Sequence, residues 1–140
     1  MSMRWNKPAL GAVVMASLSG CLLQPEPVRT DAVAGLSLYA KNCAECHGAD
    51  AKGSGPAALG LGSPPPDLTV LSQRNGGVFP QDFVMAVIDG YNRRDHLSSV
   101  MPEFGQDDLG PIVLVEEDGV STPTPADLVA LANYLRSVQQ

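Results

Sequence analysis

The feature that most restricts this chain is a cluster of two cysteines and a histidine, Cys43, Cys46 and His47. On a helix, residues three and four positions apart lie on the same side, so both thiols and the imidazole can meet one ligand. The chain has only three cysteines and two histidines. Most of its capacity for metal binding or redox chemistry is therefore expected in these few residues.

Four kinds of site contain such a cysteine pair. A thioredoxin-like dithiol is expected at the start of a helix that follows a strand, whereas here the pair ends a predicted helix and a loop follows. A structural zinc site needs four ligands, and His96 is the one further strong candidate. A disulfide between cysteines this close would be strained or labile and would leave His47 unexplained. The spacing Cys-x-x-Cys-His is typical of covalent haem c attachment, with two thioethers at the haem edge and the imidazole on the iron.

Residues 1–20 are predicted to be a lipoprotein signal peptide. Two basic residues precede an apolar run that is short for a membrane span and suited to the core of a signal peptide. The run ends in Leu-Ser-Gly-Cys, which resembles the bacterial lipobox and implies lipidation of Cys21; the alternative is an ordinary signal peptide with an incidental cysteine. Residues 21–30 are interpreted as the lipidated cysteine and a flexible tether. The functional domain is then residues 31–140, on the periplasmic side of a bacterial membrane.

The composition argues against nucleic-acid binding. The formal net charge is −6, and removal of residues 1–20 brings it near −8 because two basic residues are lost. A basic footprint is absent, and the acidic balance favours a partner with a basic surface. With 14 glycines and 12 prolines in 140 residues, the chain is expected to form one domain with long loops between few regular elements.

The first predicted helix covers residues 31–47, with Thr30 or Asp31 as its cap. Its apolar face repeats at intervals of three and four residues and comprises Gly35, Leu38, Tyr39 and Cys43. A Gly/Pro-rich loop with little regular structure is expected over residues 48–69.

A second helix is predicted between Pro80 and Gly90. Its buried stripe is predicted to comprise Phe83, Val84, Val87 and Ile88. Further along, Asp118 and Gly119 separate two β-prone runs, which predicts a hairpin.

The C-terminal helix has the most regular pattern in the chain. Thr124 is its predicted cap and Pro125 its predicted first residue. The residues that share its apolar face are Leu128, Leu131, Tyr134 and Leu135.

With these elements in place, the chain resembles a class I, mono-haem cytochrome c over residues 31–137. The matching pieces, in order, are the helix with Gly35 and Tyr39 before the cysteine pair, the segment Pro-Pro-Pro-Asp-Leu-Thr, the Met-Pro pair of residues 101–102, and the C-terminal helix. The resemblance implies a mainly α cytochrome c fold, with helices packed around one covalently bound haem and a small β-hairpin before the last helix. It also implies that Gly35 and Tyr39 meet Leu131 and Tyr134 where the first and last helices cross.

The resemblance also implies the axial ligands of the haem iron. His47 takes the proximal position, and its other ring nitrogen is expected to donate to the carbonyl of Pro66, with the adjacent Pro65 as the alternative. Met101 is the expected distal ligand and His96 the runner-up. A thioether in this position favours the reduced iron and raises the potential, whereas two histidines lower it.

Other residues near these motifs have less specific interpretations. Met85 lies on the predicted apolar helix face and is interpreted as core filler. Arg74, Arg93 and Arg94 could serve the haem propionates or be ordinary surface cations. The segment 107–124 departs from compact family members and receives no assigned function; a partner-recognition edge is one hypothesis and a structural flap another.

A haem iron with two protein ligands has no open site for a substrate, so the expected function is single-electron transfer without catalytic residues. The expected partners are redox proteins with a basic docking surface, together with the membrane through the lipid anchor. The alternative function is a haem-bearing subunit of a periplasmic dehydrogenase or respiratory oxidase complex. A haem enzyme or gas sensor with an open distal site is a third hypothesis.

Overall fold

The computed structural model describes residues 1, 27–91, 100–117 and 119–140. The predicted signal peptide, Cys21, most of the tether and the three loop residues Arg93, Arg94 and His96 lie outside these ranges. In the part of the chain that is described, no helix has the length and apolar character needed to cross a membrane.

The described residues confirm a mainly helical fold with one small antiparallel sheet. The elements are α1 (Ala32–Asn42), α2 (Ala44–His47), α3 (Leu71–Arg74), α4 (Gln81–Asp89), β1 (Ile112–Glu117), β2 (Val120–Pro125) and α5 (Ala126–Ser137). Short 3₁₀ turns cover Pro56–Gly60, Leu68–Val70 and Phe104–Gln106.

Helix α1 begins at the predicted acidic cap. Asp31 has an extended backbone, and its Oδ1 accepts hydrogen bonds of 2.9 Å from the backbone N–H groups of Val33 and Ala34. These bonds satisfy two of the donors that an α-helix leaves unpaired at its start. They also hold the pKa of the Asp31 carboxyl below its usual value, chiefly through the Ala34 N–H.

The first helix does not run unbroken through His47, as the sequence predicted. Cys43 departs from helical geometry with φ −122°, ends α1 and precedes α2. The interruption is small, since the Cys43 N–H still donates to the Tyr39 carbonyl at 2.9 Å. It changes the direction of the chain at the first cysteine of the cluster.

The core of the fold is the crossing of α1 with α5. A Cβ atom on Gly35 would lie 2.0 Å from the Ala130 carbonyl oxygen and 2.7 Å from Tyr134 Cβ, so only glycine permits this approach. The rings of Tyr39 and Tyr134 pack with their centroids 4.9 Å apart at a tilt of 46°, in the range of favourable aromatic pairs. Leu131 belongs to the same buried cluster. The predicted meeting of the first and last helices is confirmed.

Helix α5 is buried around most of its circumference. The predicted buried face, Leu128, Leu131, Tyr134 and Leu135, is confirmed. The buried set extends to Ala126, Val129, Ala130 and Ala132. The small alanines leave room for α1 to pack closely.

The predicted start of α5 is wrong by one residue. Pro125 occupies the cap position, the helix begins at Ala126, and no side chain caps it. Thr124 lies one residue before the cap position, pairs with Val113 in β2, and its Oγ1 donates to the Thr122 carbonyl at 3.2 Å.

Helix α4 begins at Gln81, one residue after the predicted first residue Pro80, and Gly90 ends it, as predicted. Val84 and Ile88 are buried and Val87 is half-buried, but Phe83 is 40% exposed, so its assignment to the buried stripe is wrong. The helix packs against the core through Val84 and Ile88, which are four residues apart and lie on the same face of the helix. Phe83 lies beside that face.

The predicted hairpin is present. Strands β1 and β2 pair in an antiparallel register that runs from Ile112 opposite Pro125 to Glu117 opposite Val120. The expected irregular loop of residues 48–69 is more ordered than the sequence suggested, because it contains the turn Pro56–Gly60 and leads into Leu68–Val70 and α3.

Candidate functional site

The end of α1 and the single turn of α2 bring Cys43, Cys46 and His47 together. The backbone N–H groups of Cys46 and His47 both donate to the Cys43 carbonyl, at 3.2 and 2.9 Å. Both cysteines are half-buried and neither forms a disulfide. The cluster is therefore held by one hydrogen-bonded turn, with two thiols available for covalent attachment.

The Cys43 thiol has little thiolate character. Burial, followed by the proximity of Cys46, raises the pKa of Cys43 to about 11. A cysteine that attacks disulfides or undergoes redox cycling needs a lowered pKa. This environment argues against a catalytic dithiol.

The His47 imidazole is suited to metal binding. Burial lowers its pKa, and the Pro66 carbonyl opposes that effect to a smaller extent, so the neutral ring that coordinates metals is favoured. Its Nδ1 atom is buried and makes no hydrogen bond with the described residues. The Pro66 carbonyl is therefore near enough to the ring to affect its pKa, and donation of a hydrogen bond from His47 Nδ1 to Pro66 stays a prediction.

The loop after α2 folds back over His47. The Gly53 N–H donates to the His47 carbonyl at 2.7 Å, and the Leu68 N–H donates to the Ala51 carbonyl at 2.8 Å. Gly53 has φ +84°, and a Cβ there would lie 2.1 Å from the Pro65 carbonyl oxygen. Glycine at this position therefore lets the proline segment lie directly against the loop that leaves α2.

Several apolar side chains pack against the hydrophobic core but are only partly buried by it. Met101 is half-buried and packs against the core, and so does Met85. The other members of this partly covered set are Leu38, Ala44, Leu68, Leu71, Phe79, Phe104 and Leu109. Such a wall leaves apolar surface for a large apolar ligand to cover.

The side chains at the site indicate which kind of metal-containing group they could hold. Among the described residues, no group of three or more His, Cys, Asp or Glu side chains could hold a metal ion, and His96, the further zinc candidate, lies outside these residues. Two thiols, a neutral imidazole, a thioether in the same core and partly covered apolar walls fit a covalently attached haem.

Comparison with known protein families agrees with this chemistry. The cytochrome c family model matches residues 32–139. The chain belongs to the cytochrome c family. Membership implies covalently bound haem c and electron transfer, and Cys43, Cys46 and His47 are consistent with the Cys-x-x-Cys-His attachment motif. No curated protein and no solved structure matches the chain at a significant level.

Sequence reasoning missed one polar contact of this cytochrome. Tyr39 is 1% exposed, and its hydroxyl donates to the Gly48 carbonyl at 2.7 Å. The sequence analysis assigned Tyr39 to core packing alone. The choice of tyrosine over phenylalanine at a buried position was the signal, because a buried tyrosine hydroxyl usually has a hydrogen-bond partner. The bond joins the core crossing directly to the residue after His47.

A cavity of about 270 Å³ opens beside Cys43 in this cytochrome. It separates α1 from the segment between Phe104 and Leu109. Its acidic lining residues are Asp107, Asp108 and Asp127. Lys41 is the one cation of this lining, so Cys43 lies next to a surface with an excess of negative charge.

Proposed function

We propose that this chain is a single-electron carrier that holds one haem through thioether bonds from Cys43 and Cys46, with His47 and Met101 as axial ligands. The observation that carries the proposal is the two free, half-buried thiols and the neutral imidazole on one turn. Met101 packs into the same core. When bound, haem c supplies an iron that gains and loses one electron reversibly.

The chain's own residues would fix the environment of that iron. The hydrogen-bonded turn of α2 would set the position of His47, and the adjacent Pro66 carbonyl would orient its ring. Half-buried Leu68 and Phe104 would exclude water. Exclusion of water and a thioether ligand both favour the reduced state, so we expect a higher potential than that of a bis-histidine haem.

The distal ligand is tested by the far-red charge-transfer band of the oxidised protein, which reports a methionine–iron bond. We expect the band in the unmodified chain and its loss in Met101→Ala. Met85→Ala is the matched control, because Met85 is also half-buried and packs against the same core. Absence of the band from the unmodified chain, as His96 ligation would produce, or its loss in Met85→Ala with retention in Met101→Ala, would overturn the assignment.

We further propose that a lipid on Cys21 holds the protein on the periplasmic side of a bacterial membrane. The lipobox-like sequence before Cys21 and the proline-containing tether support this proposal. Cys21→Ala should abolish diacylglyceryl labelling and leave the precursor unprocessed by the lipoprotein signal peptidase. Unchanged labelling in Cys21→Ala would rule out lipidation at this residue.

The redox partners are proposed to present a basic surface to the acidic residues near Cys43. Asp107, Asp108 and Asp127 line the cavity at this cysteine, and opposite charge accelerates encounter at low ionic strength. Electron exchange with a cationic cobalt complex should be faster than with an anionic complex of equal driving force. The difference should shrink in Asp107→Asn/Asp108→Asn; an unchanged ratio would contradict this docking face.

A further inference from the structure

Strand β1 has an edge that no other strand covers in the described ranges. β1 pairs with β2 alone. An uncovered edge carries backbone N–H and C=O groups that can pair with an added strand. β1 contains no proline, whereas β2 contains Pro123 and Pro125, which have no N–H to donate. The edge of β1 is therefore the better acceptor of an additional strand.

The surroundings of this edge combine exposed apolar side chains with a groove of mixed polar and apolar lining. Ile112 and Leu114 are 62% and 68% exposed. A groove of about 430 Å³ separates β1 from α5. The strand residues that line it come from β1, and the helix contributes Val129, Asn133 and Arg136. A strand added to β1 would lie in this groove and over α5.

The net charge at the groove is negative. Glu116 and Glu117 line it from the end of β1. Among the described lining residues the one cation is Arg136, whose guanidinium donates to Gln81 Oε1 and stacks over the Phe79 ring at 5.5 Å. A second copy of this chain would also carry a net charge of −6 and would be repelled. A basic segment has the complementary charge.

We propose that the groove between β1 and α5 binds an extended segment of a partner protein in which apolar and basic side chains alternate. The segment's backbone would pair with the free edge of β1, its apolar side chains would pack against Leu114 and the floor of the groove, and its cations would face Glu116 and Glu117.

This surface adjoins the haem attachment site. The Asp127 N–H, in the first turn of α5, donates to the Leu109 carbonyl at 3.1 Å, and both residues line the cavity beside Cys43. A partner held along β1 would therefore contact the helix whose first turn lines the cavity beside Cys43. The hairpin would supply selectivity for that partner, in addition to the long-range charge attraction.

Two synthetic peptides, Lys-Val-Lys-Val-Lys-Val and Glu-Val-Glu-Val-Glu-Val, test the proposal by amide NMR on the reduced, haem-loaded full chain. The lysine peptide should shift the amides of β1 and of residues 129–136 in a saturable manner, and the glutamate peptide should not. Equal effects of both peptides, shifts confined to other acidic residues such as Asp107 and Asp108, or no shifts would overturn the proposal. Concentration-dependent β1 shifts without peptide would overturn it in favour of self-association.

Matched variants locate the binding on the β1 side of the hairpin. Leu114→Thr keeps strand propensity but removes apolar contact, and it should weaken binding of the lysine peptide about tenfold. Val120→Thr alters a residue that is 63% exposed on the other strand, and it should change the affinity less than about twofold. Equal losses in both variants would contradict the groove. The haem spectrum of each variant reports separately on the proposed electron carrier.

Discussion

The crossing of α1 with α5 and the loops around α2 are held together in different ways. At the crossing, Gly35, Tyr39 and Tyr134 are buried against other parts of the protein itself. Around α2, loop hydrogen bonds set the backbone, while side chains such as Leu68 and Met101 remain half-buried. The crossing is therefore complete as a protein interface, whereas the α2 side has apolar surface that a haem would cover.

This difference predicts which substitutions should change the free energy of unfolding and which should change the reduction potential. Residues at the crossing are almost fully buried by other parts of the protein, so their replacement should lower the free energy of unfolding. Residues on the α2 side should act mainly on the reduction potential, because they control access of water and orientation of the ligands.

The largest effect is expected for Gly35→Ala. A Cβ 2.0 Å from the Ala130 carbonyl oxygen forces the helices apart, and we expect a loss of about 3 kcal/mol or more in the free energy of unfolding. Chemical denaturation monitored by circular dichroism measures the loss. Gly60→Ala is the matched control, because a Cβ there meets no heavy atom within 4 Å. Equal stability of the two variants would show that the crossing is looser than described.

Substitutions of Leu131 and Leu68 test whether the crossing and the α2 side differ in this way. Leu131, at the crossing, is 4% exposed, and Leu131→Ala should cost about 2–3 kcal/mol through the cavity it leaves. Leu68→Ala, on the half-buried side, should cost less and should lower the reduction potential, because water that reaches the haem favours the oxidised iron. Denaturation and redox titration of both variants measure the two effects. If Leu131→Ala has the greater effect on potential, the division between the regions is wrong.

A smaller loss is expected for Tyr39→Phe, which leaves the ring packing but removes the hydrogen bond to Gly48. The Gly48 carbonyl would lose its buried donor, at a cost of about 1–2 kcal/mol. Tyr91→Phe is the surface control, because Tyr91 is 90% exposed. Unfolding free energies of the two variants measure the difference, and similar values would show that the bond contributes nothing net.

The same tyrosine predicts a component of alkaline unfolding. Burial raises the pKa of Tyr39 above its ordinary value, whereas in the unfolded chain the phenol has a pKa of about 10. Its contribution to stability is fully present below that pH and is lost as the pH rises above it, because the unfolded state then releases the proton first. Stability should fall less steeply above this pH in Tyr39→Phe than in the unmodified chain. If the free energy of unfolding falls equally steeply with pH in both proteins, Tyr39 makes no contribution to alkaline unfolding.

The sequence allowed prediction of the elements that depend on local periodicity and caps. Asp31 as a cap, the apolar face of α5 and the hairpin are confirmed, because each follows from residue types close together in the chain. The helix crossing at Gly35, which the family resemblance implied, is also confirmed.

Features that depend on contacts distant in sequence were missed. Thr124 is a good cap by type, yet it is committed to pairing with Val113, eleven positions earlier. Phe83 is apolar, but the face that α4 turns to the core leaves it 40% exposed. In the site, the motif located Cys43 and His47 in the chain, whereas the folding of the proline segment onto α2 depends on Gly53 and could be seen only in three dimensions.

The central claim is that Cys43 and Cys46 are used to attach a haem and that the chain carries one electron. Potentiometric titration of the purified full chain, followed by visible absorbance, tests it most directly. We predict one reversible one-electron wave with a haem c spectrum, absent from the Cys43→Ser/Cys46→Ser variant. A chain without haem absorbance, or a two-electron wave that depends on the free thiols, would contradict the claim and restore the dithiol interpretation.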